Sequence, residues 1–189
     1  MPFPLIPTFK TKYLTDLTPE ILKKHGIRFL MMDFDNTIVP YTTNTPTEAV
    51  EQWFLDMKNS GITLCMVSNS KKPRVRVLCE AHGIPCIQHA RKPFWWIGIR
   101  KALTDFQVPA AEAAIVGDQI YTDVLGGNGA GVKVTPIGFL VIKDGSCRMI
   151  NIAPPAHTSL DRIIEMVPDI IDKVESFIDK HDAKSAAQV

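Results

Sequence analysis

The sequence predicts an α/β domain, a parallel sheet with helices on both faces. Three observations carry that expectation. Short apolar runs of strand length alternate with segments of helical period over residues 27–135. Glycine or proline marks most of the boundaries between them. The runs are apolar at consecutive positions, as strands covered on both faces require. A chain of 189 residues, 46% of them hydrophobic, can bury one sizeable core. Residues 1–189 are therefore expected to form a single domain, with a core over about 10–140 and an extension over about 141–182.

Each element has its own signal. Residues 14–25 read as a short helix, with Thr18 as the cap and Pro19 at the first helical position. Ile27 to Phe34 is apolar throughout and reads as a central strand. Thr45-Pro46-Thr47-Glu48 reads as a capping box. The helix it opens runs to about Ser60, with Val50, Trp53, Phe54 and Met57 on one face and Gly61 at its end. Ile62–Val67 is a second strand, 73–82 a helix stopped by Gly83, and Ile84–Gln88 a short third strand. Pro93 is expected to open a helix reaching about Phe106, with Trp95, Ile99, Ala102, Leu103 and Phe106 as its core stripe. Ala113–Val116, a short helix over about 119–127 and Val132–Thr135 complete the alternation. Beyond Pro136 the pattern changes to a hairpin, Phe139–Ile142 and Cys147–Ile150, with Asp144-Gly145 in its turn. Ser159–Met166 and a segment carrying Ile170, Ile171, Val174, Phe177 and Ile178 read as helices, and 183–189 as a frayed end.

Charge and composition exclude several classes. Twenty-one Lys and Arg nearly cancel 20 Asp and Glu, so a dedicated nucleic-acid binder is not expected. No apolar run approaches the length of a membrane span. The apolar start, Met1–Pro7, has no basic region, is broken by three prolines and does not read as a secretory signal. Cys65, Cys79, Cys86 and Cys147 form no C-x-x-C pair and have no histidine at metal-ligand spacing. Reduced thiols in a cytoplasmic protein are the expectation.

The residues that suggest chemistry follow the ends of four strands. The first run closes on Asp33-Phe34-Asp35-Asn36-Thr37. A side-chain period of two would put both carboxylates on the same side of an extended chain. They suit a nucleophile and a general acid/base beside a divalent metal, and equally a turn with Asx capping. Ser68-Asn69-Ser70, at the next helix entrance, suits a phosphate oxygen or an ordinary cap. Lys92 stands where an anion could bind, or is simply solvated. Asp118 and Asp123 would complete an oxygen-rich Mg²⁺ site or favour a helix N-terminus. Right-handed crossovers place all four strand ends on one edge. Together they assemble the inventory that phosphoryl transfer through an aspartyl-phosphate requires.

D-F-D-N-T, V-S-N-S, R-K-P and G-D-Q-I-Y-T-D resemble the four ordered motifs of the haloacid dehalogenase (HAD) superfamily of phosphatases. Longer stretches, including Leu17-Thr-Pro-Glu, Ala90-Arg-Lys-Pro and Gly117 to Asn128, are similar to the YqeG family of subfamily III A. That family is related to the mitochondrial phosphatidylglycerophosphate phosphatases. The resemblance spans about residues 10–140 and is weaker beyond Gly138. It implies a HAD-type Rossmannoid sheet and a Mg²⁺-dependent phosphatase. Asp33 would attack phosphorus. Asp35 would protonate the leaving group and then activate water. The Asp35 carbonyl and the Asp33 and Asp118 side chains would hold Mg²⁺, with Asp123 in support. Ser68, Asn69 and Lys92 would bind the phosphoryl group. An aspartate at position 35, able to transfer protons, favours ester hydrolysis.

Spacing bears on the substrate. Thirty-two residues separate Asp35 from Ser68 and 25 separate Lys92 from Asp118, so neither gap holds a cap domain. An uncapped site accepts phosphates on large or surface-bound molecules, with less of the enclosure that a lid provides. Lys71, Lys72, Arg74, Arg76, Arg91 and Lys92 are expected to form a basic rim, or a solvated helix face. Phe94 and Trp96 beside that rim, and Met1–Phe9, are candidates for peripheral contact with an anionic membrane. The substrate class expected is an anionic phospholipid such as phosphatidylglycerophosphate. A soluble nucleotide, a sugar phosphate, a phosphoprotein and a non-catalytic HAD-fold interaction module are the alternatives. The sequence does not fix the oligomeric state.

Overall fold

The computed structural model describes residues 7–9, 11, 13–94, 97–136, 139–143 and 146–150. Five strands, β1 (Phe29–Met32), β2 (Thr63–Val67), β3 (Cys86–Ile87), β4 (Ala113–Gly117) and β5 (Lys133–Pro136), form one sheet in the order β3-β2-β1-β4-β5. All four pairings are parallel. Strand order reverses at β1, and in sheets of this kind ligands bind beyond the strand C-terminal ends at such a reversal, here between β1 and β4. β1 is fully buried, as its uninterrupted apolar run requires.

Side-chain alternation divides the core into two layers. Leu30, Met32, Leu64, Met66, Ala114 and Val116 face one side, packed with α1 (Pro19–Lys24), α2 (Glu48–Asn59) and α3 (Pro73–Ala81). Phe29, Met31, Cys65, Val67, Ala113 and Ile115 face the other, with α4 (Gly98–Asp105) and the α5 (Leu125–Ala130) region. Each fully buried Leu, Ile, Phe or Met contributes roughly 1.5–3 kcal/mol relative to exposure. Cys65, Cys79 and Cys86 are free thiols, and burial pushes the Cys65 thiol up to about 12.

Several boundaries differ from the sequence expectation. Residues 14–25 divide into a 3₁₀ turn, Leu14–Asp16, and α1, with Thr18 capping α1 as expected. The cap of α2 is Thr47, not Thr45; its hydroxyl accepts from the Val50 N–H at 3.4 Å. Trp53, Phe54 and Met57 of α2 are buried, and the Trp53 indole N–H donates to the Leu17 carbonyl at 2.8 Å. The third strand contracts to two residues. Pro93 does not open a helix. It follows a cis peptide bond in a loop, and α4 begins at Gly98. The expected helix over 119–127 is a π-helical turn, Ile120–Val124, leading into α5. The hairpin forms as β6 (Phe139–Lys143) and β7 (Ser146–Ile150), antiparallel and in a sheet of its own. The Asp144-Gly145 turn, both expected C-terminal helices, the frayed end, Trp95, Trp96 and most of Met1–Phe9 lie outside the described residues. Thr8 and Phe9 donate backbone N–H groups to the Val134 carbonyl, and the Phe9 ring lies 4.4 Å from that of His25. His25 precedes β1, so Phe9 packs toward the end of the sheet opposite the strand C-termini.

Candidate active site

Asp33 still belongs to the sheet, since its N–H donates to the Val116 carbonyl at 2.9 Å. The chain then turns. The Phe34 carbonyl accepts from the N–H groups of Thr37, Ile38 and Val39, and Asn36 takes a left-handed conformation with φ of 57°. Because extension ends here, the two carboxylates do not share partners as a continued period of two would suggest. Asp33 meets Lys92, whereas Asp35 meets Arg74 of α3.

Lys92 is buried, not solvated, with its ammonium 2.8 Å from Asp33 Oδ1 and 2.5 Å from Asp123 Oδ1. Burial opposes that charge, but Asp123 and Asp33 outweigh it and raise the lysine above its ordinary value. Asn69 fixes the lysine backbone. Its side-chain carbonyl accepts from the Lys92 N–H at 2.7 Å, and its NH₂ donates to the Lys92 carbonyl at 2.9 Å. Both ends of the Asn69 amide thus bond to the Lys92 backbone. Ser68, also buried, accepts from the Ser70 N–H at 3.1 Å.

Asp118 follows β4, and Asp123 returns to it through the π turn. The Asp123 N–H donates to the Gln119 carbonyl, and its Oδ2 accepts from the Gln119 N–H. Gly117 makes that return passable. A Cβ there would lie 2.2 Å from Cγ and Oδ2 of Asp123. Asn36 donates to Asp118 Oδ2 at 3.3 Å.

Asp33, Asp118 and Asp123 offer oxygens within 4.8 Å of one another. One lysine ammonium, paired with Asp33 and Asp123, serves a group of three carboxylates, so full ionisation leaves two negative charges uncompensated within the group. Burial, with the charges of Asp123 and Asp33, pushes the Asp118 carboxyl up to about 8. Asp118 Oδ1 is buried with no hydrogen-bond partner among the described residues. A buried, unpaired carboxylate oxygen is costly. A divalent cation would supply both the missing charge and the missing partner, and the all-oxygen donor set fits one.

The structure thus brings Asp33, Ser68, Asn69, Lys92, Asp118 and Asp123 to one sheet edge, with Asp35 beside them. Sequence reasoning missed three contributors: Arg74 as the partner of Asp35, Asn36 as the donor to Asp118, and Gly117 as the space for Asp123. Asn36 and Gly117 lie inside the quoted motifs, but their roles depend on contacts across the fold. Arg74 was expected on an open rim. Its side chain is only 12% exposed and is turned inward.

A family model described as mitochondrial PGP phosphatase matches residues 2–137. The probable phosphatase YqeG of Bacillus subtilis (strain 168) is 33% identical over 146 residues, covering 77% of this chain and 84% of the relative. The chain belongs to the YqeG family of phosphatases. An uncharacterized protein from Listeria monocytogenes serotype 4b shares the fold, with a TM-score of 0.52, 19% identity, and coverage of 68% of this chain and 88% of that one. The end of the chain has another likeness. A family model described as sporulation protein YtfJ matches residues 110–172. The uncharacterized spore protein YtfJ of B. subtilis is 29% identical over 56 residues, 30% of this chain and 36% of the relative. The match to the phosphatase family model ends at 137, and the separate hairpin begins at Phe139.

Proposed function

We propose that this YqeG-family phosphatase hydrolyses a phosphate monoester through an aspartyl-phosphate on Asp33, with Mg²⁺ as its cation. The observation that carries this reading is the uncompensated triad of Asp33, Asp118 and Asp123 with one lysine among them. Asp33, Asp118 and the Asp35 carbonyl would hold Mg²⁺, with Asp123 supporting. Bound there, the ion would supply electrostatic stabilisation of phosphoryl oxygens. Lys92 leaves Asp33 a second carboxylate oxygen, which attacks phosphorus as the bond to the leaving oxygen breaks. Asp35 gives its proton to that oxygen. It then takes a proton from the water that attacks the aspartyl-phosphate and releases phosphate. An ammonium has three donors, and two are used on Asp33 and Asp123, so Lys92 keeps one for a phosphoryl oxygen. Ser68 and the backbone N–H of Asn69 close the same cradle.

The substrate class this reading favours is a phosphate on an anionic lipid, phosphatidylglycerophosphate being the case the family resemblance implies, in keeping with a family model described as PGP phosphatase. Among the described residues, the stretch from Asp35 to Ser68 holds only a loop, α2 and β2, and that from Lys92 to Asp118 holds loops, α4, a 3₁₀ turn and β4. Neither stretch holds a lid among its described residues. Tyr41, Lys71, Lys72, Arg91 and Phe94, all exposed, follow the strand ends around the site. Such a mouth suits peripheral contact at the inner face of a membrane.

The test is turnover of an aryl phosphate by purified protein with Mg²⁺, with EDTA, and by Asp33→Asn. Asp33→Asn should fold and be inactive, while Asp35→Asn should slow both half-reactions and accumulate a labelled phosphoenzyme. Near-wild-type turnover by Asp33→Asn would end the aspartyl-phosphate reading.

A further inference from the structure

We propose that Arg74 is a positioning residue for Asp35, holding the acid/base at the site by bridging it to α3 and to the loop that follows β1. The inference rests on the reading of Asp35 given above. One terminal nitrogen of the guanidinium pairs with Asp35 Oδ1. The other donates to the Thr43 carbonyl at 2.6 Å and to the carbonyls of Pro40 and Tyr41 at 3.4 Å each. The guanidinium carbon stands 5.1 Å from the centre of the Phe34 ring, the residue between the two aspartates. Arg74 therefore grips the whole Asp35 segment, with carboxylate, preceding ring and following loop all on one planar group.

That grip answers a local problem. Asp35 has left the ladder of β1, and its sheet-like pairing among the described residues is an isolated bridge with Val39. A carboxylate on a turn of this kind has rotamer freedom that a proton-transfer group must lose. Pairing at Oδ1 fixes the carboxylate plane and assigns the second oxygen to the proton. The same helix also follows the Ser68–Ser70 loop directly. α3 thus sets the acid/base and the phosphate-binding loop in one frame. Lysine cannot replace this grip, because a single ammonium on a flexible stem does not reproduce a planar fork.

The test is a double-mutant cycle on a soluble aryl phosphate with R74A, R74K, D35N and the R74A/D35N pair. R74A should lower kcat by about 100-fold, the scale of a small misplacement of a reacting group, with KM nearly unchanged. R74K should fail to restore the rate. Guanidinium ion at millimolar concentration should return part of kcat to R74A, where sodium chloride at equal ionic strength should not. In the D35N background, R74A should cost almost nothing further, because the two side chains act as a unit. An equal loss in both backgrounds, or a change confined to KM, would overturn the proposal. Should R74A not fold, the R74K/D35N cycle reads the same coupling. Wild-type turnover by D35N would instead remove the acid/base reading of Asp35, an outcome distinct from failure of the Arg74 inference.

Discussion

Asp118 shows how a single side chain reports on the missing charge. Its carboxyl is pushed up to about 8 by burial and then by its acidic neighbours, and Asp123 is raised for the same leading reason. A folded-state pKa above the unfolded value means that the native protein holds a proton which the unfolded chain releases. Metal-free stability should therefore fall as pH rises from the ordinary carboxylate range to about 8, and level off above it. Mg²⁺ bound at this carboxylate would displace that proton, so its affinity should rise over the same window and the stability slope should flatten. Thermal midpoints at several pH values, with EDTA and with Mg²⁺, check both statements. Asp118→Asn should lose most of the metal-free slope, and an unchanged slope would show that Asp118 does not hold the proton. Ca²⁺ should support little turnover, since it takes more ligands at longer distances than the near-octahedral Mg²⁺. The acids of this site were legible in the sequence because carboxylates after apolar strands are costly without a purpose. Arg74 was not, because a guanidinium among other basic residues carries no sequence sign of facing inward.

At the scale of elements, β4 and the π turn behind it form the device that returns Asp123 to the site. Gly117→Ala would place a methyl 2.2 Å from the Asp123 carboxylate, so strand end or turn must shift. Overpacking of this kind costs roughly 1–3 kcal/mol. The variant should fold, bind Mg²⁺ more weakly by calorimetry and lose most of its turnover. Wild-type metal affinity in Gly117→Ala would show that the turn is not held by this contact. The strands were placed in the right order because most are short apolar runs with a glycine or proline at one boundary, although the first contracts to Phe29–Met32 and the third to Cys86–Ile87. Helix starts were read less well. Thr45 and Thr47 both fit a cap, and only the hydrogen bond to Val50 distinguishes them. Pro93 looks like a first helical residue, yet it belongs to the loop that carries Lys92 inward, held there by Asn69. A loop pinned by a side chain 23 residues away is invisible to local pattern.

For the whole molecule, the sequence marked a change near Pro136, and the phosphatase match and the five-stranded sheet end at about the same place. We infer that residues 1–137 carry the phosphatase chemistry; β7 touches the Ile120–Val124 turn that returns Asp123, so a chain ending at 137 that keeps kcat on a soluble phosphate supports this division, and loss of kcat ties the hairpin to the site. Access to that site sets the last expectation. Lys71, Lys72 and Arg91 are exposed near the mouth, with Tyr41 and Phe94, and Lys72 lies 5.8 Å from the centre of the Tyr41 ring. Arg74 leaves this set because it is committed to Asp35, and Arg76 pairs with Glu80 at 3.6 Å. Phe9 packs toward the other end of the sheet, so a membrane contact at the mouth would not use it. Each basic residue near an anionic surface contributes about 1 kcal/mol, which salt screens. Phosphatidylglycerophosphate in mixed micelles with anionic lipid should therefore be turned over faster than glycerol phosphate, and the advantage should shrink as salt is added. Lys72→Glu with Arg91→Glu should reduce both the advantage and its salt dependence while leaving turnover of glycerol phosphate intact. Reversal at Arg74 is the wrong probe, because it would disturb Asp35 on every substrate. Equal rates on lipid and soluble phosphates, indifferent to salt and to the charge reversals, would remove the membrane substrate and leave the phosphatase chemistry of Asp33 untouched.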